Sequence, residues 1–141
     1  MTKSNEFLRP NLNILNQYIK DLSYENPQSI NQILSNNKTS NVSLDMNAFY
    51  QSFDNDCFGI TLKIICYSIF ENNTLFHLEL DYGGFFKILN NINFREDILT
   101  NEAARLLFPF ARSIIANLTQ NGGSLPIFLD NVDFNLIKKT N

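Results

Sequence analysis

Leu75-Phe76-His77-Leu78-Glu79-Leu80-Asp81-Tyr82 alternates without a break: Phe76, Leu78 and Leu80 share one side of an extended chain, and His77, Glu79 and Asp81 share the other. Successive side chains of a strand point to opposite faces, so this stretch reads as a strand with one face in a core and one in water. Gly83-Gly84 follows, predicting a bend or bulge before Phe85-Phe86. Upstream, Phe58 to Phe70 is a longer β-rich run, apolar on both phases near Ile64-Ile65. Glu71-Asn72-Asn73 supplies a polar turn, which predicts a hairpin of two strands.

Two further strands precede the hairpin. From Tyr18 to Glu25, Tyr18, Leu22 and Tyr24 fall on one face, with Ile19, Asp21, Ser23 and Glu25 on the other. After Asn26-Pro27 and a polar loop to about Asn41, Val42, Leu44 and Met46 alternate with Ser43, Asp45 and Asn47. Helical spacing takes over near Thr100, where Ala103, Leu106, Leu107, Phe110, Ala111, Ile114 and Leu118 recur at three and four residues before Gly122. Pro109 inside that pattern predicts a kink or a helix that begins there. Asp133 is a plausible N-cap for a short last helix from Phe134 to Lys139. Strands first and helices after, without alternation, indicate an α+β domain: a four-stranded antiparallel sheet with helices packed on one face.

The chain has 141 residues, 44% of them apolar, which suits one domain spanning 1–141, with residues 1–12 expected to be flexible. A net charge of -3 with no cluster of Lys and Arg speaks against nucleic-acid binding. Met1 to Pro10 holds no signal-like apolar run, and no stretch approaches the roughly 20 apolar residues of a membrane span, so a cytoplasmic location is expected. Cys57 and Cys66 stand on one strand, about 30 Å apart at full extension, and read as free thiols.

Little of the chain suggests catalysis. His77 lies in mid-strand without a Ser or Cys motif beside it, so no catalytic residue is expected. Cys57, Cys66 and His77 lack the local pairing of a zinc site. What remains is a set of carboxylates on polar strand faces, Asp21 and Glu25 on one strand, Glu79 and Asp81 on another; on pattern alone a solvated sheet surface accounts for them.

Four motifs change that weighting. Tyr18-Ile19-Lys20-Asp21-Leu22-Ser23-Tyr24-Glu25-Asn26-Pro27, Glu79-Leu80-Asp81-Tyr82-Gly83-Gly84-Phe85-Phe86, Leu107-Phe108-Pro109-Phe110-Ala111-Arg112 and Val132-Asp133-Phe134 occur in that order. Together they resemble SecB, the bacterial protein-export chaperone family, over about Tyr18 to Ile137. The resemblance implies a dimer of dimers, a homotetramer in which long helices pack in the middle, with Leu106, Phe110, Ile114 and Leu118 at the interface. It implies an ATP-independent holdase that keeps unfolded precursor proteins in an exportable state and passes them to the translocase motor SecA. Its docking residues on this chain are Asp21, Glu25 and Glu79.

The same resemblance points to a client groove of Val42, Leu44, Met46, Phe85, Phe86, Phe134 and Ile137, with plain core burial as the competing reading. It implies no cofactor and no metal of the chain's own, the zinc belonging to the motor's tail. His77 departs from the family, which usually carries an apolar residue there. The chain also stops at Asn141, soon after Lys138-Lys139, so a short C-terminal end and a shorter lid over the groove are expected. Two other readings stay open: a SecB-like chaperone of a toxin-antitoxin pair, and a small-ligand-binding α+β domain with an enclosed apolar cavity.

Overall fold

The structure is a computed structural model that describes residues 8–35, 41–90, 92–130 and 138–140. Its elements are β1 (Leu12–Glu25), α1 (Ile30–Ser35), β2 (Val42–Ser52), β3 (Cys57–Phe70), β4 (Asn73–Ile88), α2 (Glu96–Asn121) and β5 (Lys138–Thr140). The four expected strands form an antiparallel meander closed by β1, in the order β1-β4-β3-β2. β5 adds a three-residue parallel edge along Asn47 to Phe49 of β2. This corrects the expected helix from Phe134 to Lys139: Lys138 and Lys139 are extended against β2, and Phe134 to Ile137 lie outside the described residues. An open sheet edge offers unpaired N–H and C=O groups, and one turn of isolated helix is too short to compete with it.

Both hairpins of the meander turn on two residues. Asn55 and Asp56 connect β2 to β3 at φ 62 and 60, and Glu71 and Asn72 connect β3 to β4 at φ 50 and 65. Two consecutive positive φ values match the right-handed twist of the flanking strands, which is why such turns close hairpins. β4 continues through Gly83-Gly84, where a bend or bulge is expected, and runs on to Ile88.

Irregularity lies instead in β1. Register shifts between Ile14 and Asn16 and between Ile19 and Asp21 leave Leu15 and Lys20 as extra residues. Each extra residue switches the faces of everything beyond it. Ile19 therefore lies opposite Tyr82 on the helix side, and Tyr18 lies opposite Gly83 on the other side, together with Asp21. The simple alternation read for Tyr18 and Ile19 is thereby corrected, while Leu22 and Tyr24 keep the face assigned to them.

One face of the sheet is a core. Phe58, Leu62, Ile64, Leu78, Leu80 and Phe86 are fully buried there, and Ala103, Leu107, Ala111 and Ile115 of α2 complete it from above. Gly84 permits the approach: a Cβ there would stand 2.8 Å from Leu107 Cδ2 and 2.7 Å from the Phe86 ring. Helix α2 runs from Glu96 to Asn121 with Pro109 inside it on the exposed side, so the helix does not begin at the proline. Its C-terminus is fixed to β1, where Asn26 Nδ2 donates to the Gly122 carbonyl at 2.6 Å and a Cβ on Gly122 would run into the Tyr24 ring.

The other end of α2 reaches the start of β1. Arg9 Nη2 donates to Glu102 Oε1 at 3.1 Å, Pro10 is buried, and the Asn11 carbonyl accepts from Leu89 N at 2.8 Å. These contacts fall within the segment 1–12 expected to be flexible, of which residues 1–7 lie outside the described part.

Burial raises the Glu102 pKa, but the neighbouring Arg105 and Arg9 outweigh it and leave the carboxyl below its ordinary 4.5. A lowered folded-state pKa contributes stability that is present above the unfolded value and lost as pH falls through the folded one. Wild type should therefore exceed Glu102→Gln by up to about 1 kcal/mol in urea unfolding at neutral pH, the scale of a partly exposed ion pair. The gap should narrow as pH falls below 4.5, through the lowered folded-state pKa. A gap that stays constant across that range would show that the carboxylate's charge is not the source.

Candidate functional site

The face of the sheet turned away from α2 carries the chemistry. Because directly paired residues of antiparallel strands share a face, the register gives its rows across β1, β4, β3 and β2. Glu25 lies beside His77, Tyr67 and Ser43; Ser23 beside Glu79, Ile65 and Asp45; Asp21 beside Asp81, Lys63 and Asn47. Asp21, Glu25 and Glu79 thus stand on one face. Asp21 and Glu25 are about 13 Å apart along β1, and Glu79 sits next to the midpoint between them, one strand away at about 5 Å.

Water keeps this concentration of like charge affordable. Asp21 and Glu25 are exposed and enter none of the ion pairs formed among the described residues. The Glu79 side chain is 44% exposed and meets His77 Nε2 at 3.0 Å. His77 is held in place by stacking on Tyr67, with ring centroids 5.9 Å apart and planes inclined by 21°. Asp81 is more enclosed and lies 3.5 Å from Lys63 Nζ. Asp81 was visible in the alternation but carries no motif role, so only the register shows that it completes the acidic rows.

From the next row onward, the same face turns aromatic. Tyr18 pairs with Gly83, Phe49 with Thr61, and Phe85 with Gly59. Phe53 meets Phe85 edge-on, with ring centroids 5.3 Å apart and planes at 86°. These rings border a groove of about 280 Å³. Phe85 was expected in a client groove and lines this one; Phe49, Phe53 and Tyr18 were not singled out, because the bulge at Lys20 and the Gly59 opening are properties of strand pairing.

The remaining expected groove residues do not join it. Met46 is 8% exposed and Phe86 is fully buried, so both belong to the core. Val42 and Leu44 share their face, pairing with Ser68 and Cys66, yet stay exposed at the start of β2. The expected groove is therefore divided between two sides of the sheet, with Phe134 and Ile137 outside the described residues. Along α2, Leu106, Ile114 and Leu118 are half-buried against the core and Phe110 is 45% exposed.

Nothing in this arrangement activates a nucleophile. Burial raises the Cys66 thiol to about 11, which keeps it protonated, and Cys57 lies on the opposite strand face. Among the described residues no group of three or more His, Cys, Asp or Glu is placed to hold a metal ion. No helix among them is long and apolar enough to cross a membrane.

Comparison with known proteins now adds an independent line. Residues 5–140 match the family model described as preprotein translocase subunit SecB. The chain is 39% identical over 130 residues to the protein-export protein SecB of Mesorhizobium japonicum, covering 89% of this chain and 76% of that one. It is 41% identical over 126 residues to the protein of the same name from Xanthobacter autotrophicus, covering 89% and 81%. Among solved structures, a Mycobacterium tuberculosis SecB-like chaperone in complex with an antitoxin peptide superposes with a TM-score of 0.70, covering 86% of this chain and 90% of that one. At 12% identity that likeness speaks for the fold alone.

Proposed function

The chain belongs to the SecB family of protein-export chaperones, and from that membership we propose that it is an ATP-independent cytoplasmic holdase, without enzymatic activity, that delivers unfolded precursors to the SecA motor. The observation that carries the delivery step is the convergence of Asp21, Glu25 and Glu79 on the helix-free face. A helix-free sheet face in water can present charge without desolvating it, and complementary potential speeds the encounter with a cationic partner and selects that partner. The basic, zinc-bearing tail of the motor is the partner that fits. His77 fixes Glu79 within this surface and takes the place of an apolar contact.

Client holding falls to the other side. Val42 and Leu44 on the helix side of the sheet leave apolar surface open. Burying it against an unfolded chain yields roughly 25 cal/mol per Å², indifferent to client sequence. On α2, the exposed Phe110 with the half-buried Leu106, Ile114 and Leu118 beside it supports a homotetramer built as a dimer of dimers. A small-ligand role is not favoured, because the space between sheet and helix is filled by Phe58, Phe86, Leu62 and Leu107, all fully buried. The toxin-antitoxin reading rests on a structural likeness that carries the fold only, whereas the relatives at 39% and 41% identity are export proteins by name.

Excess protein should slow the refolding of an unfolded, slow-folding precursor without nucleotide, and unchanged refolding kinetics would remove the holdase assignment. Glu79→Lys should weaken motor-tail binding by about 1 to 3 kcal/mol in calorimetric titration, with wild-type affinity itself falling as salt rises. The variant should keep a tetrameric mass by light scattering and its effect on refolding. Equal binding of variant and wild type across the salt series would return the acidic face to an ordinary solvated surface.

A further inference from the structure

Most of the helix-free face is polar, yet four aromatic rings gather at one end of it. Tyr18 is 47% exposed, Phe49 37% and Phe53 45%, and Phe85 completes the set. Their groove exists because two neighbours lack a Cβ. On Gly83 that atom would stand 2.8 Å from the Tyr18 ring, so the ring lies across the bare backbone and forms a wall. On Gly59 it would sit 3.4 Å from the Phe53 ring and narrow the floor. The β1 bulge is what turns Tyr18 to this side.

The groove is continuous with the acidic rows. Tyr18 stands in the row next to that of Asp21 and Asp81, and Phe85 lies six residues beyond Glu79 on β4. In the three rows from Glu25 to Asp21 the charged groups are Glu25, Glu79, Asp45, Asp21 and Asp81 against Lys63 and the titratable His77. The surface is therefore bipartite: net negative at one end and aromatic at the other, with Lys20 also among the residues lining the groove, and long enough for an extended peptide running along the strands.

We propose that this groove is a second anchor of the docking face, taking one aromatic or large aliphatic side chain of an extended basic peptide. The spacing along β4, at about 3.3 Å per residue, sets that side chain four to six residues from the basic group that meets Asp21, Glu25 and Glu79. Charge complementarity selects this occupant: an unfolded client needs only apolar surface, whereas here an apolar slot is joined to carboxylates. The proposal rests on the acidic face being a docking surface. It adds a specificity element, since charge alone accepts any basic peptide and the slot rejects one without the anchor.

Two fluorescein-labelled synthetic peptides test it against the full chain by anisotropy. Each carries a Lys-Arg-Lys cluster and a five-residue Gly/Ser spacer, ending in Phe in one and Gly in the other. The Phe peptide should bind about tenfold tighter, the scale of burying one ring. Gly59→Val, which fills the floor, and Phe49→Ala, which removes an exposed wall, should each erase that preference, while Glu79→Lys weakens both peptides. Equal binding of the two peptides, with Glu79→Lys still weakening both, would overturn the anchor and leave the acidic face standing. A Phe preference that survives replacing the basic cluster by Ser would make the groove a client site and overturn the proposal. Failure of both peptides to bind would remove the docking surface itself.

Discussion

The packing of one helix against one face of the sheet governs the rest of the molecule. Leu107 reaches Gly84 closely enough to exclude a side chain there, and around that contact the even-numbered residues of β3 and most of β4 are sealed. Burial of that face fixes the register, because a one-residue slip would bring Leu78 and Leu80 into water and Glu79 into the core. No described helix covers the opposite face, where most odd-numbered residues of β3 and β4 stay at least partly open to solvent. The pairing that builds the core is also the pairing that arranges Glu25, Glu79 and Asp21.

This division lets opposed requirements coexist in a small domain. Holding an unfolded chain calls for exposed apolar surface without direction; recognising one basic partner calls for fixed charge. In the proposed reading the sheet separates client holding from partner docking by its own thickness. The β1 bulge adds a local refinement: with Lys20 as the extra residue, Tyr18 joins Asp21 instead of Ile19, and an aromatic wall is built next to the acidic rows. Such bulges re-aim side chains at functional edges.

How much of this was legible in the chain differs from element to element. Alternation over Leu75 to Tyr82 sufficed for β4 and for the shared face of Glu79 and Asp81, because a period of two over a long strand has few competing explanations. The face of Tyr18 was misread, since a bulge arises from how two strands meet and leaves no mark in either alone. Helix α1 was readable but missed: Ser29 Oγ accepts from Gln32 N at 3.2 Å, and Gln32 Oε1 accepts from Ser29 N at 2.8 Å, the reciprocal cap that Ser-x-x-Gln announces. Gly83-Gly84 suggests a bend or bulge, yet β4 runs through both glycines, whose bare backbone leaves room for the Tyr18 ring over Gly83 and the Leu107 side chain over Gly84. Met46 and Leu44 are both apolar and share a face, yet Met46 is core and Leu44 exposed, a difference the alternation alone does not carry.

That division of labour between two faces is most directly tested by native mass spectrometry of the chain mixed with both an unfolded precursor and the motor's basic tail. The account predicts a ternary species, with the amount of bound precursor unchanged as the tail is titrated to saturation. Displacement of precursor by the tail, mole for mole, would contradict it.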